Sequence, residues 1–343
     1  MDYVVSLALS VLDQSPVRSG GTPADAVAET VALARVTENL GYRRYWVAEH
    51  HASGGFAGAA PEILIGGIAA ATKTLRVGSG GVMLSHYASL KVAEQFRMLD
   101  ALYPDRIDLG IGRAPGSDQR TAMALAHGST MRRTEHFAHQ VQDLIDYLEN
   151  NLPEGHPFRG VIAMPAGETM PEMWLLGSSD QSALMAAYFG RPFSFAHFIA
   201  GENVGAVVMD AYRRDYRPSE RFPQPRGSIG VFVICAETDE AAQRQAACRH
   251  LWRLRRETAI DIPPFPTDEE ALAHEFTPHD YVVLARYKDK EIIGSPATCK
   301  ARLDELAAVY QVDELVILTI TYSFEARARS YELLAEAFGL TPP

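Results

Sequence analysis

Eight times along this chain a short apolar run gives way to a longer stretch whose apolar residues recur every three to four positions. The strand-like runs are Val4 to Leu9, Tyr45 to Ala48, Arg76 to Met83, Arg106 to Leu109, Met173 to Leu176, Phe193 to Ala196, Ser228 to Cys235 and Glu314 to Leu318. Helical stretches fit between them, starting near Pro23, Pro61, Ala88, Met131, Gln181, Glu202 and Glu237, with two more near Pro296 and from Glu325 to Phe338. Thr22, Pro23 and Gly41 punctuate the first helix as N-cap, first turn and terminator, and Ser295 with Pro296 repeats the device. Eight strands each followed by a helix predict an α/β fold, a (β/α)8 TIM barrel, in preference to an open doubly wound sheet using six of the strands.

Residues 1–343 are expected to form a single barrel domain, since barrels reach this length undivided. Two stretches break the rhythm: residues 154–173, after the fourth strand, and residues 261–294, between the seventh and eighth. Both are expected to be insertions, the second a lid over the barrel mouth or an oligomer contact. The net charge of −11 argues against nucleic acid or an anionic membrane as partner. The opening MDYVVSLALSVLDQSP lacks a basic n-region and the apolar run of a signal peptide, so a cytoplasmic protein is expected. Cys235, Cys248 and Cys299 are widely spaced, with no C-x-x-C pair, and read as buried reduced thiols. No metal site is expected, because H-E-x-x-H is absent and no third ligand stands at a suitable spacing.

In a barrel of this kind the chemistry gathers where strands end. DLGIGRAPGSD, residues 108–118, begins as a dinucleotide fingerprint with Gly110 and Gly112, but Pro115 takes the place of its third glycine and Gly116 comes one residue late. What remains is Arg113 at a strand end. The segment after the fifth strand, GSSDQSA, puts Ser178, Ser179 and Ser182 at a helix start, where unpaired N–H groups favour an anion that Arg113 could also hold. The alternative is a plain N-cap at Ser179 and a surface ion pair at Arg113. After the second strand AEHH offers Glu49, His50 and His51, and VLDQ adds Asp13. Phe56, Met83, Tyr87 and Phe198 either line a pocket or belong to the core.

AEHH, VGSGGVMLSHY, DRIDLGIGRAPG, LGSSDQSA and IIGSP, in that order and at strand ends, resemble the bacterial-luciferase-like family of flavin-dependent monooxygenases across nearly the whole chain. The resemblance implies FMN, its phosphate held by Arg113, Ser179 and Ser182 with Ser178 beside them. It implies a cis peptide between Gly80 and Gly81 under the flavin ring, and His50 as the catalytic proton-transfer group at its reactive edge. It also implies FMN reduced by a separate flavin reductase, a small-molecule substrate, and a homodimer. Two other readings stand beside the monooxygenase: hydride transfer with a deazaflavin coenzyme, and a non-catalytic flavin-binding protein. In one respect the chain departs from luciferases proper. Gly112 occupies the position of their reactive cysteine, which argues against light emission and an aldehyde substrate.

Overall fold

The computed structural model describes residues 7–113, 118–125, 136–259 and 261–342. Its strands are β1 (Ala8–Asp13), β2 (Arg44–Val47), β3 (Arg76–Met83), β4 (Ile107–Gly112), β5 (Glu172–Gly177), β6 (Phe193–Ala196), β7 (Gly227–Cys235), β8 (Glu291–Gly294) and β9 (Glu314–Leu318). Its α-helices are α1 (Pro23–Asn39), α2 (Pro61–Ala71), α3 (Ser89–Leu102), α4 (Gln119–Leu125), α5 (Phe137–Glu149), α6 (Asp180–Tyr188), α7 (His197–Ala200), α8 (Glu202–Arg214), α9 (Asp239–Thr258), α10 (Asp268–Ala273), α11 (Pro278–Ala285), α12 (Pro296–Tyr310) and α13 (Phe324–Phe338). All strand pairings are parallel, in the order β6-β5-β4-β3-β2-β1-β9-β7, and a β6–β7 pairing closes the ring. The chain is a (β/α)8 barrel, as its rhythm predicts.

Strand alternation sorts the side chains into two cores. Outward positions such as Leu9 and Val11 of β1, Tyr45 and Val47 of β2, and Ile107 and Leu109 of β4 pack under the helices. Inward positions Leu12, Trp46, Trp174, Phe232, Val316 and Leu318 fill the barrel. At the end where strands begin, the interior is ionic. Arg44 lies on the axis and donates to Asp108 (2.8 Å), Glu172 (3.0 Å) and Glu314 (2.8 Å). Trp46 and Trp174 add indole N–H donors to Asp108 and Glu172, and Arg226 reaches Glu172 at 3.0 Å. Burial alone would push the Glu172 carboxyl up, yet Arg44 and Arg226 hold it down at about 2.

The first strand differs from expectation: it is Ala8–Asp13, not Val4 to Leu9, and residues 4–6 lie outside the described ones. Its sequence is apolar on both sides of Ala8, so hydrophobicity sets no boundary, and the two polar residues, Ser10 and Asp13, are absorbed by Glu314 and Arg327. The helix expected from Met131 also begins outside the described residues; α5 starts at Phe137. The 261–294 insertion is not irregular. It carries α10, α11 and β8, and β8 runs beside the last four residues of β7, on the side where β6 has already ended. Its proline-rich start is pinned: Phe265 stacks on Trp252 at 4.6 Å and exchanges backbone hydrogen bonds with Val17 and Ser19. All three cysteines are buried and free. No described helix is long and apolar enough to cross a membrane.

Candidate active site

At the end of the barrel where strands finish lies a cavity of about 690 Å3. Its floor is β3. Gly80 and Gly81 are joined by a cis peptide, and pairing with β4 shifts register between Gly80 and Val82. Neither position has space for a side chain. A Cβ on Gly80 would meet Leu12 Cδ1 at 2.6 Å, and one on Gly81 would meet the Gly110 carbonyl oxygen and Leu176 Cδ1, both at 2.7 Å. The floor is therefore bare backbone that a flat group can approach.

The end of β2 supplies the titratable wall. Glu49 is buried and accepts the Met83 N–H (2.9 Å) and the Tyr87 hydroxyl (2.6 Å), with His51 Nε2 also at 2.6 Å. This carboxylate ties the β2 and β3 ends together and fixes the His51 ring. His50 differs. Its backbone N–H donates to Gly58, its ring lies 4.6 Å from Phe56, and its Nδ1 is buried with no hydrogen-bond partner among the described residues. Burial, then the Arg256 charge and His51, pull its pKa down to about 4, so the imidazole is neutral at neutral pH. Both histidines border the cavity.

Arg113, Ser178, Ser179 and Ser182 meet on the β4–β5 side of the same cavity. Arg113 Nη1 donates to Gln181 Oε1 at 2.6 Å, which holds the guanidinium against the first turn of α6, and among the described residues it makes no ion pair. Ser179 is the N-cap of α6. Ser182 donates to the Ser179 carbonyl at 2.7 Å, with the two hydroxyls 3.3 Å apart. Gly177 permits this tight entry, because a Cβ there would lie 2.2 Å from Ser182 Oγ. Gly112 also lines the cavity and has open space where a Cβ would be, so a larger residue would fit.

Asp13 does not belong to the site. Strand parity turns Leu12 and Gln14 to the cavity and Asp13 outward, where Arg327 (2.6 Å), Tyr45 and the Ser15 N–H (2.7 Å) surround it. Burial raises its pKa, and these partners together bring it below the usual carboxylate range. Met83 and Phe198 border the cavity, whereas Tyr87 serves Glu49. Sequence reasoning missed Gln14 and Arg256. Parity from a correctly placed β1 would have found Gln14; Arg256 lies at the far end of a long helix, and no local pattern marks it. Among the described residues no group of His, Cys, Asp and Glu is arranged to hold a metal.

This geometry agrees with what the chain is similar to. A "luciferase-like monooxygenase" family model matches residues 7–311. An N-acetyl-S-alkylcysteine monooxygenase of Bacillus subtilis is 36% identical over 336 residues, 96% of this chain and 97% of the relative. The crystal structure of apo-MsnO8 is 41% identical, covers 98% of this chain and 99% of its own, and superposes with a TM-score of 0.88. The oxygenating constituent of a 3,6-diketocamphane monooxygenase of Pseudomonas putida, solved in complex with FMN, shares the fold at a TM-score of 0.69 and 16% identity, covering 98% of each chain. The chain belongs to the luciferase-like monooxygenase family.

Proposed function

We propose that the protein is an FMN-dependent monooxygenase that receives FMN already reduced by a separate flavin reductase and acts with oxygen on a small organic substrate. The observation that carries this reading is the bare Gly80–Gly81 floor lying between His50 and the Arg113–serine cluster in one cavity. With no side chain on Gly80 or Gly81, a flat ring can lie directly against that backbone, and a phosphate suits the side where a guanidinium meets a helix start. The relative named as a monooxygenase and the FMN complex of a protein with the same fold support it.

When bound, reduced FMN supplies the electrons that activate oxygen. The chain's residues do the rest. Arg113 and the open start of α6 provide positive potential for the phosphate, and Ser178, Ser179 and Ser182 provide hydroxyls. Leu12, Leu176, Phe198 and Ile262 give apolar walls that exclude water. His50 borders the cavity, is neutral near pH 7 and keeps a lone pair on one ring nitrogen, so it can hydrogen-bond or take a proton released there, while its lowered pKa makes it a weak base that returns the proton readily.

Titration of FMN, reduced FMN and a deazaflavin coenzyme against the protein, followed by flavin fluorescence, tests the cofactor. FMN is expected to bind, and Arg113→Ala to weaken it by about 1.5–3 kcal/mol, the scale of a lost charged hydrogen bond. Unchanged affinity in the variant, or binding of the deazaflavin alone, refutes the assignment. Oxygen uptake that depends on an added reductase and an organic substrate separates an enzyme from a flavin carrier.

A further inference from the structure

Behind His50 a second chamber of about 560 Å3 adjoins the cavity and shares Gln14, His50, Phe198 and Ile262 with it. One wall is α9, whose Arg249, Arg253 and Arg256 stand at i, i+4 and i+7, on one face of the helix. Arg249 is the unusual member. It is 6% exposed, and its Nε and Nη1 are buried with no hydrogen-bond partner. Its guanidinium rests 4.2 Å from the Phe232 ring and 5.0 Å from that of Trp252, and no carboxylate among the described residues forms an ion pair with it.

Of the other charges around the chamber, Arg253 and Glu257 are already engaged. Arg253 faces Glu291 at 3.3 Å, and Glu291 also takes His250 at 3.1 Å. Glu257, the acid on the chamber wall, accepts the Tyr287 hydroxyl at 2.9 Å. Arg256 sits at the exposed end of the row, above Trp252, with no ion pair among the described residues. Burying a guanidinium without an acceptor is costly, and of the arginines with unpartnered nitrogens that line this chamber Arg249 has no carboxylate paired with it among the described residues, so an anion entering the chamber would lower that cost. This cationic row is found in a chain whose net charge is −11, and it is flanked by Phe56, Trp252 and Leu318, which suit an apolar body.

We propose that the chamber receives the anionic end of the organic substrate, a carboxylate on an apolar chain, with Arg249 as its buried anchor and Arg256 at its mouth. The planar fork of Arg249 matches a carboxylate's two oxygens, and the apolar part extends past His50 toward the Gly80–Gly81 floor. The assignment rests on the reading of the neighbouring cavity as the flavin site.

Hexanoate and its uncharged isostere hexanamide, titrated calorimetrically into the full-length protein with FMN, provide the test. Hexanoate is expected to bind at least tenfold more tightly, and Arg249→Met to remove at least tenfold of its affinity while leaving FMN and hexanamide unaffected. Because Arg249 Nε and Nη1 meet no acceptor among the described residues, and Met keeps apolar contact with Phe232 and Trp252, the variant should melt no lower than the parent without ligand, whereas a purely structural arginine would lower Tm when lost. If Arg249→Met does not fold, Arg256→Gln and the hexanoate-to-hexanamide ratio of the unaltered protein decide the matter. Equal binding of the two probes, or undiminished hexanoate affinity in Arg249→Met, overturns the proposal. Loss of FMN binding with the hexanoate preference intact would instead remove the flavin reading and leave the anion chamber standing.

Discussion

The depressed pKa of His50 makes a quantitative prediction about stability against pH. In the unfolded chain this imidazole takes up a proton as pH falls through 6.5, whereas in the fold it does so only near 4. Between these values the unfolded state binds more protons, so stability must fall as pH drops through this window, and it levels off below about 4. The full shift corresponds to about 3 kcal/mol, of which about 2 kcal/mol is already lost by roughly pH 5. His50→Gln keeps a polar planar group but has no proton to gain. Urea unfolding of flavin-free parent and variant at pH 7, 6 and 5 isolates the contribution as the change in their stability difference, since every other titrating group cancels. The parent is expected to lose about 2 kcal/mol relative to the variant over that range. Arg256→Gln should move the midpoint upward only in part, because burial is the larger cause. A stability difference that stays constant with pH would show that the imidazole is solvated in the fold and would refute the argument.

Turnover should distinguish the role of the same side chain: His50→Ala is expected to slow it by roughly 10²–10⁴ with FMN affinity nearly unchanged, and equal losses in both would make the ring a packing element. Gly81→Ala places a Cβ 2.7 Å from the Gly110 oxygen and is expected to cost about 1–3 kcal/mol of stability and to weaken FMN, while Gly112→Ala, with open space at its Cβ, should leave stability unchanged; thermal melts compare them. Arg44→Ala removes the buried cation that Asp108, Glu172 and Glu314 share, leaving each a single outer arginine (Arg76, Arg226 and Arg43), and should destabilise by about 3–5 kcal/mol in denaturant titration; a smaller loss would mean that those arginines or water replace it. Amide exchange at Phe265 and Ser19 should be slow with or without flavin, because that part of the insertion is fastened to the barrel; marked slowing on flavin binding would restore a moving lid.

The barrel was legible because its strands and helices announce themselves by different periods, and because caps such as Thr22 and Ser295 mark where helices begin. Arg113 and the serines were legible for another reason: each follows directly from a strand end, so local sequence places it at the mouth, whereas the Gly80–Gly81 floor, inside β3, was legible only through the resemblance to the luciferase-like family. Asp13 misled because a strand ended four residues too early places it in the loop at the rim, whereas it is the last residue of β1 and faces outward. Glu49 looked like a rim acid, yet its partners Met83 and Tyr87 come from β3 and beyond and only the fold brings them to it. Arg249 and Arg256 carry no local mark at all. Their significance lies in an absent partner, and absence is visible only once every neighbour has been placed.

The ionic closure around Arg44 also governs traffic. With that end of the barrel plugged by paired charges beneath Trp46 and Trp174, no route leads through the strand starts, so whatever reaches the cavity enters and leaves on the side where the strands finish. On the proposed reading, a flavin on the Gly80–Gly81 floor and its organic partner would both travel on that one side of the barrel, so the floor would fill first and empty last.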